Sequence, residues 1–355
     1  NIDSIKVVSE IGLGNRISTT MQACFFKLAN VIDYAEADKH MKEFVVKSFS
    51  KKGEKVVNMN FAAIDNAIAN LQEVHYPESW ATTTDGAVVK PVTDDKYFNE
   101  IIAPILAQEG DKLPVSKFVD YADGAVPTAT TKFEKRGIAV KVPVWIKENC
   151  LQCNQCSFVC PHACIIPVAQ KADALANAPK TFDTVNMKNP KAKEYQFRVQ
   201  VSPLDCSGCG NCANICPAKE KALVMTPLEE VLAKGESDNW NFADSLDNSD
   251  VPIARDTVIG SQFNRSLFEF SGACAGCGET PYLKVVAQLY GDRMIVANAT
   301  GCSSIWGGSA PATPYTVNHE SGRGPAWANS LFEDNAEHGL GIHLGQKAIR
   351  ERLIG

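Results

Sequence analysis

Thirteen of the 355 residues are cysteines, and eleven of those stand at spacings that suit metal clusters. Eight fall in two copies of one run: Cys150, Cys153, Cys156 and Cys160 before Pro161, then Cys206, Cys209, Cys212 and Cys216 before Pro217. Three thiols crowded into one tight loop serve a metal–sulfide cubane better than pairwise bridges. Structural zinc pairs cysteines as CxxC, but a third cysteine two residues on and then Cys-Pro is not a zinc pattern. The chemistry implied is one-electron transfer through iron–sulfur clusters. Cys274, Cys277 and Cys302 supply three further thiols, a site one ligand short. By spacing alone it is either a zinc with water in its fourth position or a third cluster.

The repeated run resembles the bacterial ferredoxin signature. In that signature three thiolates come from one loop, and the fourth, before the proline, ligates the other cluster. The resemblance implies a [4Fe-4S] cluster one on Cys150, Cys153, Cys156 and Cys216. Cluster two then falls to Cys206, Cys209, Cys212 and Cys160.

The elements that must hold these thiols come from a chain long enough for two or three domains. Composition is that of an ordinary globular protein, 45% hydrophobic and 21% charged. A net charge of −6 argues against nucleic acid, which needs a basic face. No apolar run approaches the ~18 residues of a membrane span. The first residues show no basic n-region followed by an apolar h-region, so no signal peptide is expected, and so many cysteines in a non-secreted chain point to a reducing, cytoplasmic setting. Asn1-Ile2-Asp3 lacks an initiator methionine and the end stops within helix-like sequence, so the chain reads as an internal fragment of a longer polypeptide.

Residues 1–80 read as one short strand at Ile5–Val8 followed by helices. Ser18 is expected to cap a helix with Met21, Phe25, Leu28 and Ile32 inward. Ala35–Phe49 repeats the pattern through Met41, Phe44 and Val45, and Gly53 marks its exit. A third helix is expected over Asn60–Glu73, with Ile64, Ala67, Ile68 and Leu71 inward. Cys24 reads as a small buried hydrophobe. Residues 81–149, broken by Thr82–Gly86, Pro91, Pro104, Pro114 and Pro127, read as a linking domain. It ends in a strand over Phe133–Pro143, in which Glu134, Lys135 and Arg136 read as a solvated turn in preference to an anion-binding site. Residues 150–226 form the two-cluster module, with a strand over Tyr195–Val201, Cys164 in the core and His162 on the surface near cluster two. Residues 227–267 read as a surface linker. From 268 to 355 a helix capped by Thr280 with Pro281 next, a buried strand at Met294–Ala297 and a small-residue loop carrying Cys302 open an α/β sheet. Ligands of such sheets bind at the carboxyl ends of strands.

Nearly the whole chain resembles the pyruvate:ferredoxin (flavodoxin) oxidoreductases. The motifs are Phe133–Gly137 with its Glu-Lys-Arg, the doubled cysteine run, Ser271–Pro281, Ala299–Gly307, Gly322–Trp327 and Asn329–Glu337, in the family's order. The resemblance implies a multidomain α/β and α+β protein. Residues 1–80 would be the end of a gamma-type, coenzyme A-associated domain, 81–149 the EKR linking domain and 150–226 a ferredoxin-like domain. Residues 268–355 would be the start of an open α/β thiamine-binding domain. The implied activity is oxidative decarboxylation of a 2-oxoacid with coenzyme A, electrons leaving singly through three [4Fe-4S] clusters to ferredoxin or flavodoxin. Implied cofactors also include thiamine diphosphate with Mg2+, and the implied assembly is a homodimer. Cys274, Cys277 and Cys302 would hold the proximal cluster, whose fourth cysteine lies past Gly355 in the family. Glu279 and Cys302 fall on thiamine-contacting positions, and Asn15 and Asn60 near coenzyme A contacts. The family's Gly-Asp-Gly magnesium motif does not occur here, and Gly291-Asp292-Arg293 is not one. The residues that activate the thiamine ring and read pyruvate also lie outside the chain. The rival readings are a non-catalytic two-cluster electron carrier and the core of a pyruvate:NADP oxidoreductase.

Overall fold

Residues 1–14, 16–82, 93–248 and 250–355 are described by the computed structural model. Asn15, and the breaks expected at Thr83–Gly86 and Pro91, lie outside them. The chain divides into two units, 1–89 and 90–355.

The first unit is helical. Asp3 accepts a hydrogen bond from the Lys6 amide and starts α1, Ser4–Glu10, burying Val7 and Val8 while Ile5 stays exposed. The strand expected at Ile5–Val8 is therefore a helix, because a four-residue apolar run carries no period that separates the two. Helix α2, Ser18–Ala29, has Ile17 at its N-cap and no side-chain cap, so Ser18 does not cap it. Its buried face is Thr20, Ala23 and Cys24, not the larger stripe. Met21, Phe25, Leu28 and Ile32 are 39–69% exposed. Small residues allow close approach to α4, Glu54–Ala69, where Thr20 and Cys24 reach the Ala63 and Ala67 carbonyls. Helix α3, Tyr34–Phe49, capped by Asp33, turns Ala37, Met41 and Val45 inward and leaves Phe44 exposed. Gly53, at φ +94°, ends the turn after α3, and α4 starts there, earlier than the Asn60 start expected. Ile64 and Ala67 face its core.

The second unit opens with a π turn, Phe98–Ile102, running into α5, Ala103–Leu106. The strand expected over Phe133–Pro143 shortens to β1, Lys141–Trp145. Two similar halves follow. In the first, β1, the first cysteine loop, α6 (Gln155–Phe158) and β2 (Ile165–Lys171) succeed one another. In the second the order is β4 (Tyr195–Val201), the second loop, α7 (Asn211–Ile215) and β5 (Leu223–Pro227), with the short β3 (Val185–Asn186) between the halves. Strand β1 pairs antiparallel with β5, from Lys141↔Pro227 to Trp145↔Leu223. Strand β2 pairs antiparallel with β4, from Ile165↔Val201 to Lys171↔Tyr195. Each half is thus hydrogen-bonded to the other, which brings the chain leaving one cysteine loop beside the loop of the other. Ile165, Phe197, Val199, Val201 and Leu223 form the core beneath.

Residues 227–267 are not a linker over the surface. Helices α8 (Leu228–Ala233), α9 (Glu236–Asp244) and α10 (Val258–Ser261) pack there. Trp240, Val251 and Phe263 join the core of the cysteine domain, and Trp240 meets the Phe270 ring edge-on at 5.9 Å. The polar residues between them hid widely spaced anchors. Helix α11, Thr280–Tyr290, is entered from Glu279 with Pro281 in its first turn, so Thr280 is its first residue and not its cap. Strand β6 (Ile295–Ala299) then runs parallel to β7 (Ala326–Ser330), with Ile295↔Ala326 in register. Parallel strands need a crossover; here it carries α12, Cys302–Ser304, and after β7 the chain enters α13, Asn335–Ile354. Strand β6 is less buried than expected, with Ile295 44% exposed. Among the described residues no helix is long and apolar enough to cross a membrane.

Candidate metal centres

Two cavities are walled by sulfur. Cys150, Cys153, Cys156 and Cys216 line the first, with Trp145, Val199 and Leu223 among the apolar residues around them. Cys160, Cys206, Cys209 and Cys212 line the second, with Pro143, His162 and Ile165. The two are of similar size. Three thiols in each come from one run and one from the other. Among the described residues no group of three or more His, Cys, Asp or Glu is arranged to hold a single metal ion. Thiols spread around a cavity wall fit a cubane with an iron at each ligand and not one zinc with all its ligands at about 2.3 Å.

Backbone conformation shapes each loop. Gln152 and Asn154 adopt left-handed φ of 59° and 56°, and Gly208 and Gly210, at the same places in the second run, φ of 71° and 77°. Glycine takes this region freely, whereas Gln and Asn need other support. Gln152 finds it by donating to the Asn186 carbonyl and accepting from the Lys188 amide, and Asn154 by donating to the Ile259 carbonyl. These turns aim amides at sulfur. The Gln152 amide donates to Cys150 Sγ, Gly208 to Cys206 Sγ and Ala222 to Cys216 Sγ, each at 3.4 Å.

Such donors favour thiolate, but burial opposes it. Desolvation pushes the Cys156 and Cys206 thiols up to about 12 and Cys212 upward as well. Burial also raises Cys150, against the indole N–H of Trp145 and the Gln152 amide. Cys160 is lowered to about 5 by the neighbouring Cys164 thiol, with Lys284 and the His162 amide assisting. Buried thiols of this kind ionise when a metal takes the proton's place.

Cys164 lines the second cavity and is fully buried, its Sγ 3.0 Å from the Asp205 carbonyl oxygen. Cys24, buried in the helical unit, packs at α4. His162 is not a surface residue. It is 5% exposed, with Nδ1 3.2 Å from Ser207 Oγ beside Cys206 and Nε2 2.8 Å from the Ala273 carbonyl beside Cys274. The Glu134-Lys135-Arg136 segment is not a solvated turn either. Lys135 pairs with the buried Asp205, Arg136 pairs with Glu134 and donates to the Phe270 carbonyl, and Glu134 is nearly buried. Lys135 Nζ also lies 5.1 Å from the Phe270 centroid, while Arg136 stays exposed.

The Cys274–Cys277 turn packs beside the second loop: a Cβ on Gly276 would lie 3.6 Å from Cys209 Cβ. The Glu279 amide donates to Cys277 Sγ at 3.4 Å, as in the cavity loops. Cys302 opens α12 at the carboxyl end of β6 and is exposed, as is Glu279. In the helical unit Asn60 lies inside α4, buried. It donates to the Val56 carbonyl and accepts from Thr19, so both ends of its amide are occupied. Lys284 escaped sequence reading. Thr280, Lys284 and Ala287, at spacings of four and three, form the buried face of α11, and a lysine on such a face was the available signal.

Comparison with known proteins matches residues 143–217 to a family described as a 4Fe-4S dicluster domain. Residues 84–139 match the EKR family, described as a domain of unknown function. The pyruvate:ferredoxin oxidoreductase of Moorella thermoacetica is 58% identical over 353 residues, 99% of this chain and 30% of that protein. The chain is homologous to part of the pyruvate:ferredoxin and pyruvate:flavodoxin oxidoreductases. The pyruvate-flavodoxin oxidoreductase of Klebsiella pneumoniae is 49% identical over 352 residues, 99% of this chain and 30% of its own length. The mitochondrial pyruvate dehydrogenase (NADP+) of Euglena gracilis is 46% identical over 358 residues, covering 99% and 19%. The chain thus spans about 30% of the length of the first two relatives. It is a mixed α/β protein carrying an iron–sulfur dicluster, ferredoxin-like domain.

Proposed function

We propose that this chain is the electron-carrying part of a pyruvate:ferredoxin or pyruvate:flavodoxin oxidoreductase. The reaction is the oxidative decarboxylation of pyruvate with coenzyme A to acetyl-CoA and CO2, releasing two electrons that leave one at a time. The observation that carries the reading is the pair of sulfur-lined cavities, each with three thiols from one run and the fourth from the other. In it Cys150, Cys153, Cys156 and Cys216 hold one [4Fe-4S] cluster, and Cys206, Cys209, Cys212 and Cys160 the other. Bound clusters supply one-electron oxidation and reduction at low potential. The chain's own part is to fix the thiolates, donate amides to them and keep water out with Trp145, Val199, Leu223 and Ile165.

Cys274, Cys277 and Cys302 serve a proximal cluster in this reading, and Glu279 and Cys302 face thiamine diphosphate. The Gly276 contact with the second loop and the amide on Cys277 Sγ support it. The relatives named for NADP+ keep a second electron exit open within the same chemistry. Anaerobic reconstitution tests the core of the proposal. The chain should take up roughly eight irons and eight sulfides, the content of two four-iron clusters. Uptake of zinc in place of iron, or of iron near four, overturns it.

A further inference from the structure

Lys284 is a buried lysine with no carboxylate partner among the described residues. It is 2% exposed and projects from α11 to the Ser157 carbonyl, with Gln262 Oε1 at 3.3 Å. Gln262 is itself held by Ser157 Oγ at 2.9 Å and by Gln288 at 3.0 Å. Among the described residues no Asp or Glu pairs with Lys284, and burial lowers its ammonium to about 8, opposed by the thiols of Cys160, Cys156 and Cys164. Removing an ammonium from water costs several kcal/mol unless an opposite charge repays it. Two carbonyl oxygens do not.

The place of this charge is specific. Ser157 follows Cys156, which lines the first cavity, and precedes Cys160, which lines the second, by three residues. Four thiolates outweigh the core charge of a cubane, so a loaded cavity is anionic and becomes more so on reduction. A cation beside both therefore favours the reduced state of both, net charge being one of the levers on cluster potential.

We propose that Lys284 is the shared counterion of the two clusters, a positioning residue that raises both reduction potentials. This rests on the two quartets being cluster ligands. The structural alternative is a lysine kept only to satisfy the Ser157 carbonyl, and Lys284→Gln separates the two by retaining a donor without the charge.

The test is a redox titration of the cluster-loaded chain followed by paramagnetic resonance. Iron and sulfide are counted first. A wild-type chain that binds neither refutes the cluster reading itself, a result distinct from an unmoved potential. At the wild-type midpoint, Lys284→Gln should lower the reduced-to-oxidised ratio of both clusters at least tenfold, 59 mV for a one-electron couple. Lys284→Arg should stay within twofold of wild type. A glutamine variant within twofold on both clusters, a shift confined to one, or an arginine variant that shifts equally overturns the proposal. Should Lys284→Gln not load, Lys284→Met repeats the measurement. Loss of iron in both neutral variants with uptake kept in Lys284→Arg counts for the proposal, and loss in all three overturns it.

Discussion

Cys156 and Cys160 stand four residues apart, yet their sulfurs line different cavities. One turn of α6 separates them, and the β1–β5 and β2–β4 pairings bring the second half of the domain to each. Cys160→Ala should therefore remove the cluster of the other run, held by Cys206, Cys209 and Cys212, and leave its own run's cluster in place. Paramagnetic resonance of the reduced variant identifies which signal goes. Cys164 lines the same cavity, so Cys164→Ala is the control and should keep both clusters. Disappearance of the first-run signal alone in Cys160→Ala would reverse the assignment.

Spacing put three thiols of each run on one loop, and the exchange of Cys160 and Cys216 between the runs came with the resemblance to the ferredoxin signature. The strand over Tyr195–Val201 was equally legible from its alternation, and it matches β4 residue for residue. Elements whose burial depends on distant partners were not. Met21, Phe25 and Leu28 look like an inner stripe, yet α2 packs through Thr20, Ala23 and Cys24, since only small residues fit against α4. His162 and the Glu134 side chain are polar by composition and buried by contact, and the partners that hold His162 lie 45 and 111 residues away. Lys284 was hidden by the rule that lysines face water, which fails where a site supplies opposite charge.

Lys135 and Asp205 should couple stability to the second cysteine loop. Asp205 precedes Cys206, its side chain is 3% exposed, and besides Lys135 it accepts from Ser202 Oγ at 2.6 Å. Lys135→Met leaves a buried carboxylate with one neutral donor. Breaking a buried pair costs up to 3–5 kcal/mol, and the retained Ser202 and partial exposure of Lys135 bring that to roughly 2–3 kcal/mol. Thermal bleaching of the loaded variant should occur at lower temperature, the second cluster first. Unchanged bleaching would mean that the pair contributes nothing.

Glu269 gives a pH dependence of definite sign. Burial raises its carboxyl from 4.5 to about 7, against Arg265, whose Nη2 lies 3.7 Å away. A carboxyl raised on folding contributes stability below its ordinary value, and that contribution is lost as pH rises through the folded value. Glu269→Gln removes this loss. Its stability relative to wild type should climb between pH 4.5 and 7 and level off above, at roughly 3 kcal/mol for a shift of this size. Paired melts across pH 5.5–8.5 check it. A gap that shrinks as pH rises would contradict the burial argument.

Cys302 tests the path from the α/β segment into the cysteine domain. It stands where β6 ends, the edge at which ligands of such sheets bind, and it is exposed. The Cys274–Cys277 turn that would share its cluster lies against Cys209, a wall of the second cavity, and His162 ties Ala273 to Ser207. A thiolate at Cys302 would therefore hold the end of β6 to a turn already fixed on the second cluster's loop. In an enzyme containing this stretch, Cys302→Ser should keep the eight-iron content of the two cavities and their reduction by dithionite. Their reduction by pyruvate should fall at least a hundredfold, because the serine hydroxyl is a poor ligand for iron at neutral pH and the first step of the path loses its anchor. Pyruvate filling both clusters at the wild-type rate in the serine variant would make Cys302 a bystander and break the three-cluster path at its entrance.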